Sequence, residues 1–229
     1  MLFTMLPTFT ISSFALTSGD FEYEILEDGT AEITNYTGSV TDLEIPSTID
    51  GYVVTKISDG AFYLKSYGFG NSLTRVTIPD SVKEIGAEAF YEQMNLSEIT
   101  ITDNIEKIGK DAFANTGYYN NTDNWENGLL YLNNYLLDAN DVGSFCEIRE
   151  NIKLIADYAM GYCYGLTDIV VPKSLVYIGN FAFVSSSLCN IWYQGSSTDK
   201  LNIIICTDNE EFLNATWYYD ICKNNEHDF

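Results

Sequence analysis

An eighteen-residue pattern recurs along this chain. Leu73-Thr-Arg-Val-Thr-Ile-Pro-Asp-Ser-Val-Lys-Glu-Ile-Gly-Ala-Glu-Ala-Phe90 is followed by Leu96-Ser-Glu-Ile-Thr-Ile-Thr-Asp-Asn-Ile-Glu-Lys-Ile-Gly-Lys-Asp-Ala-Phe113. It returns in Leu166-Thr-Asp-Ile-Val-Val-Pro-Lys-Ser-Leu-Val-Tyr-Ile-Gly-Asn-Phe-Ala-Phe183. The common form is L-x-x-I-x-I-P-x-x-V-x-x-I-G-x-x-A-F. Weaker copies run from Leu43 to Phe62 and from Ile148 to Met160, and a last turn starts at Leu188 and drifts into a divergent segment that ends near Tyr219. One such unit is too small to bury its own apolar face. Neighbouring units must stack, which predicts a solenoid with a continuous core.

Within a unit the pattern has a local reading. Val76 and Ile78 alternate with polar residues, which predicts a short strand with both side chains turned inward. Pro79 lacks an N–H and ends strand pairing. Val82 and Ile85 return to the core, Gly86 is expected in a turn with unusual dihedrals, and Ala89-Phe90 supplies a small residue and a large plug. Two departures stand out. Asp50-Gly51-Tyr52 widens the Leu43 unit, and a long insertion separates Phe113 from Ile148. Inside the insertion, Leu129-Leu-Tyr-Leu and Tyr135-Leu-Leu alternate around Asn133-Asn134, which predicts a hairpin. Thr102 replaces the strand-end proline, and Cys163 follows one repeat at a position where the others have no cysteine.

On these residues the chain resembles the BspA-type, or Treponema pallidum-type, leucine-rich repeat family. The lead-in Phe21-Glu-Tyr-Glu-Ile-Leu-Glu-Asp-Gly-Thr-Ala-Glu-Ile and the closing Ile191-Trp-Tyr-Gln-Gly-Ser with Ala215-Thr-Trp-Tyr are similar to the family's two ends. The resemblance implies a leucine-rich-repeat solenoid that is mainly β. It would be a curved right-handed superhelix with a parallel sheet of short strands on its concave face and irregular or short helical turns on its convex face. It also implies a secreted or cell-surface location, protein binding or adhesion, and no catalytic residues. The expected organisation is a truncated signal peptide at 1–15, a lead-in at 16–38, and five repeats at 39–187 with an insertion at 117–143. A divergent cap at 188–222 and a polar tail at 223–229 follow. The signal reading rests on the uncharged apolar stretch from Leu2 to Leu16 and on Ser13-Phe14-Ala15, a small-x-small cleavage pattern.

Composition narrows the function. The formal charge of −22 repels phosphate backbones and anionic bilayers. A single histidine, His227, weighs against a His-based triad and a His-ligated zinc. Five cysteines lack any CxxC pair, so core filler and one or two disulfides are both open readings. The calcium-like run from Asp123 to Gly128 puts Trp125 and Asn134 where an EF-hand needs ligands, and is rejected. Gly68-Phe-Gly-Asn-Ser-Leu73 fails as a dinucleotide fingerprint at Leu73. No metal, cofactor or membrane span is expected.

The candidate binding residues are therefore the outward positions of the strands: Asp42, Glu44, Arg75, Thr77, Glu98, Thr100, Glu147, Asp168, Val170, Asn190 and Trp192. Tyr118, Tyr119 and Trp125 of the insertion are added as recognition-loop aromatics. The expected partner is an extracellular protein or glycan. A structural spacer in a longer surface protein is the main alternative, and a carbohydrate-active enzyme a remote one.

Overall fold

A computed structural model describes residues 15–63 and 73–221. The signal segment up to Phe14, most of the Gly68–Leu73 motif, Cys222, His227 and the polar tail lie outside the described residues. The chain is a β-solenoid of about 8 turns. Its strands follow from the repeat. Each I-x-I segment forms a three-residue strand, and each unit adds a two-residue strand ending at its later isoleucine.

Four sheets result. The first I-x-I ladder is Asp42–Glu44, Arg75–Thr77 and Glu98–Thr100, all parallel. The second is Phe145–Glu147, Asp168–Val171, Asn190–Tyr193 and Thr216–Tyr218, also parallel. The two-residue strands form a further ladder on another side of the coil, from Ala31–Tyr36 through Tyr52–Ile57, Glu84–Ile85 and Lys107–Ile108. It resumes in Tyr135–Ala139, Leu154–Ile155, Tyr177–Ile178 and Ile204–Ile205. This second line of parallel pairing, which the repeat alone did not suggest, occupies positions expected to be irregular.

The lead-in is an antiparallel meander of Leu16–Ser18, Phe21–Ile25 and Ala31–Tyr36. Its last strand turns parallel onto the first coil, so the meander starts the ladder. The widened first unit is a tight hairpin, Thr48–Ile49 against Tyr52–Ile57, with Asp50 and Gly51 both at positive φ. That is the conformation a two-residue turn between twisted strands prefers.

The core is one stack. Val76, Ile78, Val82, Ile85, Ala89 and Phe90 are buried, as are their counterparts in each coil. The plugs form a column: Tyr36 on Phe62 at 5.5 Å, Phe62 on Phe90 at 4.6 Å, and Phe90 on Phe113 at 5.3 Å between ring centroids. Met160 fills the position after the insertion, and Phe183 then stacks on Phe212 at 4.5 Å. Phe212, carried by the short helix Glu210–Asn214, thus supplies a plug that the divergent end concealed.

Gly86 corrects one expectation. Its φ is not positive; a Cβ there would lie 2.4 Å from the Asp59 backbone nitrogen. Gly109 and Gly179 meet Ala87 N and Asp157 N of the preceding or neighbouring coil in the same way, at 2.4 and 2.5 Å. These glycines are needed for close coil-to-coil approach. The left-handed residue of the turn is instead the one before the Ala-Phe pair: Glu88, Asp111, Tyr158 and Phe181 all have positive φ.

Candidate functional site

The outward rows of the I-x-I ladders follow from register. In the first ladder Asp42, Arg75 and Glu98 stand side by side, and next to them Glu44, Thr77 and Thr100. In the second ladder one row is Phe145, Asp168, Asn190 and Thr216, and the other is Glu147, Val170, Trp192 and Tyr218. The insertion separates the two ladders, and their chemistry differs.

The first ladder is a charge cluster that satisfies itself. Arg75 Nε donates to Glu98 Oε2 at 2.7 Å and Nη1 reaches Asp42 Oδ2 at 3.3 Å. The hydrogen bond and charge of Arg75 hold the Glu98 carboxyl below its ordinary range. Asp42, Glu44, Glu98 and Thr100 are exposed and Thr77 is half-buried. Exposed pairs of this kind contribute little to stability.

The second ladder carries aromatic rings beside a buttressed carboxylate. Trp192 and Tyr218 stack with centroids 4.3 Å apart and planes 13° from parallel. Asp168 Oδ1 accepts from Asn190 Nδ2 at 2.8 Å and from Trp192 Nε1 at 3.3 Å, and Oδ2 accepts from Thr167 Oγ1 at 2.7 Å. The Thr167 bond leads the causes that hold Asp168 below the usual carboxylate range. It is therefore ionised at neutral pH, and the donors fix its orientation. Glu147 is exposed, and Asp168, Asn190 and Trp192 are half-buried.

One strand candidate is withdrawn: Val170 is buried at 3% exposure. It stands between the longer side chains Glu147 and Trp192 in its row, so alternation alone misread it. Conversely, Phe145 (45% exposed) and Tyr218 (40% exposed) belong to the face and were missed. Both had a legible signal. Phe145 occupies the position of Arg75 in the repeat, and Tyr218 that of Trp192.

The insertion aromatics Tyr118, Tyr119 and Trp125 are half-buried, and their polar atoms tie the insertion down. Tyr118 OH donates to Tyr131 O at 2.6 Å, and Tyr119 OH donates to Asp138 Oδ2 at 2.9 Å. Trp125 Nε1 donates to Tyr119 O at 2.7 Å, and its ring meets Tyr119 edge to face. The hairpin Leu129–Leu132 with Tyr135–Ala139 forms around Asn133-Asn134, and its second strand pairs in parallel with Leu154–Ile155. It takes the place of a coil strand. Tyr135 OH, fully buried, donates to Thr102 O at 2.6 Å and accepts from Ile105 N at 3.1 Å, which docks the hairpin on the preceding coil. A cavity of about 30 Å³ lies beneath it, lined in part by Asp111, Asp138 and Asp157.

A second concavity of about 450 Å³ lies along the two-residue strands, with Ile105, Leu154, Val176 and Ile204 in its lining. Its charged rim is paired, Lys83 with Glu106 at 3.7 Å and Lys153 with Asp103 at 3.6 Å. Cys146, Cys163, Cys189 and Cys206 are thiols. Burial pushes Cys146 up to about 12 and Cys163 up to about 11, which suits packing better than reactivity. Among the described residues no group of three His, Cys, Asp or Glu side chains is arranged to hold a metal ion, and no helix is long and apolar enough to cross a membrane.

The BspA type Leucine rich repeat region model matches six copies over residues 29–145 and 55–190. The chain belongs to the BspA-type leucine-rich repeat family. Solved structures of similar fold include a leucine-rich repeat protein of T. pallidum, 23% identical, with 86% of this chain and 82% of that one covered and a TM-score of 0.46. A leucine-rich cell surface protein of Faecalibacterium prausnitzii is 28% identical at a TM-score of 0.48. There 91% of this chain aligns with 55% of the longer protein. A Bacteroides ovatus leucine-rich repeat protein is 20% identical over 78% of this chain and 59% of its own length, with a TM-score of 0.45. None of the curated proteins compared with the chain matches it.

Proposed function

We propose that this protein is a non-catalytic binding module, secreted or at the cell surface, that engages an extracellular protein or glycan through its I-x-I face. The observation that carries this is the second ladder: stacked Trp192 and Tyr218 beside the buttressed Asp168, set on rigid parallel strands. Aromatic side chains dominate recognition hot spots, and a solenoid offers its ligand an extended shallow surface. Leucine-rich repeat proteins are typically non-catalytic binding modules, and the Faecalibacterium relative described as a cell surface protein agrees with the location. The acidity of the chain argues against nucleic acid as the partner.

The test is binding of the purified chain to immobilised matrix proteins, mucins and polysaccharides, beside Trp192→Ala and Arg75→Glu. Saturable binding that Trp192→Ala weakens at least tenfold and Arg75→Glu spares is the expected result. Binding that survives both variants places the site elsewhere on the molecule. Absence of any binding favours a spacer role.

A further inference from the structure

Resting on that reading, we infer that the second ladder is a subsite for a neutral sugar, with Tyr218 as stacking platform and Asp168, Asn190 and Thr216 as hydroxyl partners. Size argues first. Four strands at about 4.8 Å spacing and three residues long make a face of about 14 by 10 Å. A stable protein interface needs about 800 Å² per partner, several times that area. One or two hexose rings fit it.

Chemistry argues second. Thr216–Tyr218 is the outermost strand of its ladder, so the side of Tyr218 away from Trp192 has no further strand on it among the described residues. The residue as a whole is 40% exposed. Aromatic faces carry negative quadrupole charge and attract the C–H groups on the flat side of a pyranose. One row away, Asp168, Asn190 and Thr216 stand in register on adjacent strands. They offer a carboxylate, an amide and a hydroxyl. Asp168 spends three hydrogen bonds on its orientation, and its Oδ2 keeps room to accept from a sugar hydroxyl. Asn190 Oδ1 and Thr216 Oγ1 make no hydrogen bond to another described residue.

Charge argues third. The eight outward positions of this ladder include Glu147 and Asp168 and no lysine or arginine. Sialylated or sulfated sugars would meet two carboxylates and no cation among these positions, on a protein of net charge −22. The ligand is therefore neutral.

The experiment titrates the full chain with neutral gluco-, galacto-, manno- and N-acetylglucosamine oligosaccharides, with sialyllactose and a heparin oligosaccharide beside them. Heat and tryptophan fluorescence are the readouts. Saturable binding of a neutral probe is expected, at least tenfold weaker in Tyr218→Ala and in Asp168→Asn. Tyr218→Phe, which keeps the platform, should recover most of the binding that Tyr218→Ala loses, and Met94→Ala, exposed and outside both ladders, should bind within twofold of the parent. Neutral binding unchanged in Tyr218→Ala and Asp168→Asn, binding of the anionic probes alone, or no sugar binding at millimolar concentration overturns the inference. The same samples are run against deglycosylated matrix proteins. Protein binding lost in Trp192→Ala without sugar binding leaves the binding module standing and removes the sugar. Loss of both removes both.

Discussion

Gly109 shows how tightly each coil sits on the one before. A Cβ there would stand 2.4 Å from Ala87 N, and backbone cannot yield as a flexible side chain can. Gly109→Ala should lower stability by about 3 kcal/mol in urea titration, the upper range for overpacking. A cost under about 0.5 kcal/mol would mean the coils can part. Asp138 poses a different question. Burial outweighs its bonds from Tyr119 and Ala139 and raises its carboxyl above the ordinary range. A raised acid favours the fold while protonated, so its contribution is lost as pH climbs through the raised value. Asp138→Asn should therefore melt higher than the parent at pH 7, and the two should converge near pH 4. Asp199 has the opposite sign. Two bonds from Ser196 and then Lys173 hold it down to about 2, so its stabilisation is present above the ordinary carboxylate range and disappears towards that value. Asp199→Asn should flatten the acid limb of the melting curve below pH 4.

At the level of elements the hairpin decides continuity. Neither the I-x-I ladder nor the two-residue ladder runs unbroken past the insertion. The halves are joined by the phenol of Tyr135 between Thr102 O and Ile105 N, by Asn133 Nδ2 on Ile101 O and Asn134 Nδ2 on Asp103 Oδ1 at 2.8 Å, and also by Asp157 N on Ile108 O at 3.0 Å and the Lys153–Asp103 pair. Tyr135→Phe leaves a buried donor and an acceptor unpaired, which costs about 2–3 kcal/mol. Hydrogen exchange should quicken selectively in Tyr135–Ala139 and at Ile105. Uniform acceleration over the whole chain would show instead that the halves open together. The hairpin itself was legible from alternation around Asn133-Asn134. Its docking was not, because no local pattern says that a tyrosine hydroxyl will meet a turn some thirty residues earlier.

The whole molecule is governed by stacking and by charge. A column of plugs interrupted at Met160 gives each coil mainly its neighbours to rely on, as in any quasi-one-dimensional array. Phe90→Ala, in the middle of the first column, should cost about 3–5 kcal/mol. With a charge of −22 and most of the ion pairs more than a third exposed on both sides, self-repulsion opposes compaction. Screening it should raise the melting temperature between 10 mM and 300 mM sodium chloride. A fall with salt would mean the exposed pairs outweigh the repulsion.

The repeat by itself determined the solenoid, the plugs, the inward isoleucines and the family, because each is a property of one unit read against its neighbours at a fixed spacing. It also placed all eleven strand candidates in the outward rows, since alternation is local. Only the tertiary structure decided which of them stay exposed and which side chains they meet. Val170 is covered by flanking residues on other coils, Tyr118, Tyr119 and Trp125 are used to hold the insertion, and Trp192 acquires Tyr218 from a strand in the most divergent segment. Those outcomes depend on side chains that meet across coils, and pairwise contact at long sequence separation is written in no single unit.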